Sequence, residues 1–252
     1  MKPIDRTLSW QAYEAVEKLI VTGRLVPDTT YTEAGIAEMA GFGRTPVREA
    51  LQRLASEGLV QIRPRAGVEI LEMDHARQLQ LLEARSVLQE QTVRLAARRA
   101  TVEQRARMLQ LAQAVEDAAL IGDAELYLHI ARDIHQILRE ASGNEFLERF
   151  MSSLYILSRR FSFTHRRLLN APNITRAAST HAGILRAVAA RDEAEAARAS
   201  GQMMEFLREF TLSSRATTTK PGNETTQTSG TAQAAAGPAF SGSPLRADGA
   251  RR

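Results

Sequence analysis

Apolar residues recur at helical spacing along most of the chain. In residues 7–22 Leu8, Ala12, Ala15, Val16, Leu19 and Ile20 form one stripe, and Gly23 and Pro27 close the segment. A second, shorter helix is expected after Thr32, whose hydroxyl can cap it. Glu33 suits its positive end, and Ile36, Met39 and Ala40 share its buried face. Gly41 supplies a left-handed stop and Gly43 keeps the turn tight. A third helix is expected with Thr45 as its cap and Pro46 at its first position, where no amide hydrogen is needed. Val47, Ala50, Leu51 and Leu54 make its inner stripe; Arg44, Arg48 and Gln52, spaced by four, make an outer one. Gly58 stops this helix. Leu59, Val60 and Ile62 then begin a strand, Pro64 to Gly67 make a turn, and Val68 to Leu71 return as a second strand.

From Asp74 the helical period takes over. Helices are expected near 74–99, 101–121, 123–142, 144–163, 173–191 and 192–213. Thr101, Gly122-Asp123, Ser142-Gly143-Asn144 and Ala171-Pro172-Asn173 supply the breaks. No strand pattern competes and no fixed-period repeat is visible. The fold class is mainly α: an N-terminal winged helix-turn-helix over residues 1–72, then an all-helical antiparallel bundle over 73–214. Residues 215–252 are rich in Thr, Ser, Gly, Ala, Pro and Gln, with almost no core formers. This tail is expected to be disordered.

Composition narrows the picture without deciding it. The 252 residues suffice for two ordinary domains, each with a core. Cysteine is absent, which excludes disulfides and thiolate metal sites. No apolar run approaches a membrane span and the stretch MKPIDRTLSWQAYE lacks a signal-peptide core, so a cytoplasmic location is expected. The pI of about 9.8 is weak evidence for nucleic acid, because residues 1–72 carry nine Lys/Arg against ten Asp/Glu, a net of −1. The useful signal is local. Between Arg44 and Arg65 five arginines face Glu49 and Glu57, a net of +3.

Two close-packed helices, the second presenting arginine at its start, followed by a hairpin carrying Arg63 and Arg65, have the order of a DNA reader with a wing. The stretch GRTPVREALQRLASEGLVQIRPRAG resembles the winged helix-turn-helix of the GntR family of bacterial transcription regulators, whose hallmark Ser-Arg-Thr-Pro-Val-Arg-Glu-Ala-Leu is matched from Arg44 to Leu51. Gly43 stands where serine is usual, and Pro27-Asp28 stands where Pro-Gly is usual. The resemblance implies that Arg44, Thr45 and Arg48 contact bases or phosphates, and that Gly67 sits at the wing tip in the minor groove. Gln52 and Arg53 extend this surface, Arg53 towards the DNA backbone.

The helical part resembles the FCD effector domain of the FadR-like branch of that family. His135 with Ser142-Gly143-Asn144, and His181 with Asp192, stand in register with its motifs. In many such domains a divalent metal, Zn²⁺ or Ni²⁺, is held by four side chains. The matching positions here are Ala131, His135, His181 and Met203, so two of the four ligands are replaced. His135 and His181 make an incomplete metal site. The resemblance also places Arg85, with Gln89 one turn on, at the effector cavity, where an arginine suits a carboxylate. Arg159 in LSRRFSF is either a second such clamp or one of a solvated arginine pair.

These residues imply a ligand-responsive transcription regulator, more often a repressor in this family. It would bind a double-stranded operator as a homodimer, with a small-molecule effector, a carboxylate by preference, at Arg85, Gln89, His135, His181 and Met203. Two other readings stand beside it. One is a constitutive architectural DNA binder; the other is a metal-dependent helical enzyme, against which count the missing nucleophile–base pair, Gly-rich phosphate loop and H-E-x-x-H run.

Overall fold

The computed structural model describes residues 7–218. Helix α1 (Leu8–Val21) starts at Thr7, whose hydroxyl accepts from the Trp10 amide. It is followed by a short strand β1 (Thr30–Tyr31), then α2 (Glu33–Ala40) and α3 (Arg44–Ser56). Thr32 caps α2 and Gly41 ends it at φ 74°, as the sequence predicts. Helix α3 departs from expectation. It begins at Arg44 with Gly43 as the cap residue, so Thr45 lies inside the helix and Pro46 is its third residue. Gly43 has no side-chain oxygen, and the first amides of α3 gain no side-chain cap.

The wing consists of β2 (Val60–Arg63) and β3 (Gly67–Ile70), antiparallel with Arg63 opposite Gly67. The sheet has three strands rather than the two expected, in the order β1-β3-β2. A two-residue strand is too short to show alternation. Flanking bonds hold it: the Asp28 amide to the Ile70 carbonyl at 2.9 Å and the Ile70 amide to the Thr29 carbonyl at 3.2 Å. Asp28 adopts φ 52°, the left-handed turn conformation that Asp tolerates.

Six further helices follow: α4 (His75–Arg99), α5 (Val102–Leu120), α6 (Ala124–Ser142), α7 (Glu145–Thr164), α8 (Ala171–Ala189) and α9 (Glu193–Thr218). Their starts are marked by Asp74, a Thr101/Gln104 capping box, Asp123, Asn144, Asn170 and Asp192, each accepting an amide of the first turn. Pro172 sits in the first turn of α8 rather than ahead of it. A 3-10 turn, Arg166–Leu168, joins α7 to α8. Helix α4 runs along the bundle against α9, α6, α7 and α8, while α5 packs on α8 and α6. Helix α9 continues five residues past its expected end at 213, so that 215–218 are helical rather than disordered; at the junction Ser214 is fully buried and donates back to the Thr211 carbonyl. The remainder of the expected tail, 219–252, lies outside the described residues.

The winged helix and the bundle meet through α1, which packs on α3 on one side and on α7 on the other. Ala12, Val16 and Ile20 of α1 and Val47, Leu51 and Leu54 of α3 are essentially excluded from water. At about 1.5–3 kcal/mol for each large apolar side chain buried, this seam holds α1 and α3 as one body.

Gly67 shows how tightly the wing is fitted. Its φ is +119°, and an added Cβ would fall 2.5 Å from the Tyr31 carbonyl oxygen of β1. Gly67→Ala should therefore lower stability in urea melts by about 1–3 kcal/mol before any DNA is present. An unchanged midpoint would show that the hairpin relaxes freely.

Candidate functional site

Two sites can be built from these elements. The first is the outer face of α3. Its inner face is buried by Val47, Ala50, Leu51 and Leu54, so helical geometry turns Arg44, Thr45, Arg48 and Gln52 outward, and all four are exposed. Among the described residues Arg44 and Arg65 have no ion-pair partner. Arg48 does: its guanidinium lies 3.0 Å from Glu33 at the start of α2. With side chains 63% and 31% exposed, that pair is worth about 0–1 kcal/mol, less than the ~1–3 kcal/mol of a bidentate guanine contact. Arg48 is thus free to exchange partners.

The remaining residues expected at the DNA divide. Arg65 occupies the tip of the wing at φ 62°, a left-handed position unusual for a long side chain. Arg63 pairs with Glu69 across the hairpin at 2.5 Å, with side chains 53% and 22% exposed, so this pair, like that of Arg48, can exchange for a phosphate. Gly67 has a structural reason of its own in the closeness of β1. Arg53, expected at the DNA backbone, is instead committed to α1. Its guanidinium stacks 4.5 Å from both the Trp10 and Tyr13 rings and donates to Glu57 at 3.2 Å. Tyr13 donates to the same carboxylate at 2.6 Å, and burial raises the Glu57 pKa against the pull of both hydrogen bonds.

The second site lies inside the bundle. A cavity of about 40 Å³ is lined by residues of α4, α6, α7, α8 and α9, including Arg85, His135, His181 and Met203. Ala131, at the first of the four positions compared above, lines it as well. Arg85 is 2% exposed and donates to Gln89 Oε1 and to Ser158 Oγ, each at 2.8 Å. Its guanidinium sits 4.6 Å from the Tyr155 ring centre. Among the described residues no carboxylate pairs with it, and burial pushes its pKa down to about 10. Gln89 steadies Arg85 from behind and does not line the cavity.

The two histidines meet here, with ring centres 5.2 Å apart. His135 stacks on Tyr155 at 4.0 Å, and His181 Nδ1 is 3.1 Å from the Tyr127 hydroxyl. Burial, with Arg85 close by, holds both imidazoles neutral; His181 is pushed down to about 3 and His135 well below its ordinary value. His135 Nδ1, His181 Nε2 and the Tyr155 hydroxyl are buried without a hydrogen-bond partner. Neutral imidazoles can ligate a metal. However, no group of three His, Cys, Asp or Glu side chains able to hold one occurs among the described residues, and the Arg85 cation is adjacent. The fit to Zn²⁺ or Ni²⁺ is poor.

Tyr127, Tyr155 and Ser158 were not singled out from the sequence. Tyr127 had a signal, standing four residues before Ala131 and eight before His135 on one helix face. Nothing in the sequence orients α7, which supplies Tyr155 and Ser158. Arg159 and Arg160 are not a solvated pair: Arg160 is 2% exposed, and the Arg159 side chain is 15% exposed and bound to Glu17.

A family model for bacterial regulatory proteins of the gntR family matches residues 8–70, and one for the FCD domain matches residues 80–206. The chain belongs to the GntR family and carries an FCD domain. The transcriptional repressor GlaR of Escherichia coli K12 is 26% identical over 207 residues, covering 79% of this chain and 92% of that protein. The solved structure of E. coli McbR/YncC matches this GntR protein with a TM-score of 0.73 at 20% identity, over 83% of this chain and 99% of the other, which shows a shared fold. An HTH-type regulator of Streptomyces ambofaciens is 39% identical over 72 residues. The chain spans only 30% of that relative's length, and 38% of a similar one from Agrobacterium vitis. The gntR-family model and the names of these relatives describe transcriptional regulators rather than enzymes, against the metal-enzyme reading. Among the described residues no helix is long and apolar enough to cross a membrane.

The buried histidines make this fold sensitive to acid. Their folded pKa values lie below the ordinary 6.5, so the unfolded chain binds more protons. The stability they allow is complete above pH 6.5 and is lost as pH falls below it, for His181 down towards 3, by up to about 1.4 kcal/mol per pH unit for each histidine. In urea melts across this range His181→Asn should show a shallower loss than the parent. Parallel curves would mean that His181 titrates in the folded state.

Proposed function

We propose that this protein is a ligand-responsive transcription regulator, a repressor by preference. In this reading α3 enters the major groove, with Arg44, Thr45, Arg48 and Gln52 at base edges or phosphates, and Arg63 and Arg65 serve the wing. The uncapped amides at the start of α3, beside Gly43, suit a phosphate. The exposed Arg44–Arg48–Gln52 stripe, on a helix whose opposite face is sealed, is the observation that carries the reading. Two heads on a near-palindromic operator require a homodimer. Val87 on α4, 66% exposed, and Leu212 on α9, 48% exposed, offer apolar area for one.

The effector is a small carboxylate rather than a metal ion. Arg85 supplies the charge. When the Tyr127 hydroxyl donates to His181 Nδ1, the His181 Nε2 proton is left as a donor, and His135 and the Tyr155 hydroxyl add two more groups without partners. A 40 Å³ cavity suits a compact anion. The name of GlaR, a repressor, supports the direction of the response.

The test begins by selecting an operator from random duplex DNA with the full chain. At matched salt Arg44→Ala should lose about 1–3 kcal/mol of specific binding and its base preference. Equal affinity and preference would remove α3 from the groove. Adding small carboxylates should then release the parent from its operator. Unchanged binding across the series would favour the architectural reading.

A further inference from the structure

Arg159 faces two spaces at once. It lines the inner cavity with Arg85, and it also lines a groove of about 570 Å³ walled by α1, α6 and α7, with Arg53 of α3 in its lining. His135 and Tyr155 are shared in the same way, so their stacked rings form the partition between the two spaces. The counter-ion of Arg159 does not come from the bundle. Its Nη2 lies 2.8 Å from Oε1 of Glu17, on α1, with the two side chains only 15% and 5% exposed. Burial lowers the Arg159 pKa and the Glu17 carboxylate opposes that shift. Arg132 of α6 makes a more exposed pair with Glu14 alongside, also at 2.8 Å.

The geometry points to the Arg159–Glu17 ion pair as the latch through which the cavity governs the reading head. This rests on the carboxylate reading above. Two guanidiniums, Arg85 and Arg159, border the cavity, and only Arg159 has a carboxylate. An anion entering there approaches Arg159 from the side opposite Glu17, and two like charges then share one cation in a poorly hydrated place. Their repulsion is screened little. A buried carboxylate deprived of its partner is costly, so Glu17 relaxes into the groove and takes α1 with it. Because α1 is sealed to α3, the recognition helix moves as α1 leaves α7. The linkage is reciprocal: whatever loosens Glu17 tightens the anion by the same factor.

The absence of cysteine allows a direct test in the full chain. Spin labels on cysteines introduced at exposed Ser56 of α3 and exposed Asp133 of α6 report the distance between head and bundle by pulsed electron resonance. Acetate is the probe, against chloride at equal ionic strength. Glu17→Gln should lengthen and broaden the distance distribution without ligand, to that of the parent saturated with acetate. Calorimetry should show it binding acetate roughly tenfold more tightly. The charge-swapped Glu17→Arg/Arg159→Glu protein should recover the parent distribution and ignore acetate, which also shows that the substituted chains fold. A Glu17→Gln protein with the parent's distances and affinity would overturn the latch. If acetate binds neither protein, the carboxylate reading fails, and the ligand-free distances of Glu17→Gln still decide the latch.

Discussion

A guanidinium buried with no carboxylate beside it is an expensive thing for a fold to keep. Arg85 is held by Gln89, Ser158 and the face of Tyr155, all neutral, and its pKa is depressed by burial alone. Hydrogen bonds from neutral groups offset part of that cost and leave the charge uncompensated. The rest of the cavity shares the imbalance, since two neutral imidazoles and a phenol present polar atoms with no partner. Each feature alone has a structural explanation. Together they are the support for the proposed anionic effector.

The DNA-reading half follows a different logic. Its core is a seam between α1 and α3, and its outer face is free because the inner one is full. Arg53 illustrates the division of labour: it sits on the recognition helix yet spends its charge on Glu57 and its planar face on Trp10 and Tyr13. It serves the reading head by fixing α1, which packs on α7 of the bundle. Gly67 belongs to the same scheme, since β1 leaves no room for a side chain there.

Much of this was legible beforehand. The helical stripes located every long helix to within two or three residues at its start, because caps such as Thr32, Asp123 and Asn144 are local chemistry. The outward arginine stripe was legible for the same reason. The start of α3 was misplaced by one or two residues because Thr45 and Pro46 satisfy a local rule that Gly43 overrides. Strand β1 was missed because its pairing is entirely non-local. In the cavity, His135, His181, Arg85 and Met203 do converge, and Gln89 supports them from outside. Arg159 was undecidable from sequence, since its partner Glu17 lies 142 positions away on another domain's helix.

Arg85 is the proposed seat of a carboxylate, and ligand-linked unfolding tests that role most directly. Chemical unfolding of the parent and of Arg85→Met would be followed across a titration of acetate at constant ionic strength. The parent's unfolding free energy should climb with ligand, by about 2.7 kcal/mol at a hundred times the dissociation constant, while that of Arg85→Met stays flat. Equal gains in both proteins, or a flat response in the parent, would contradict the assignment.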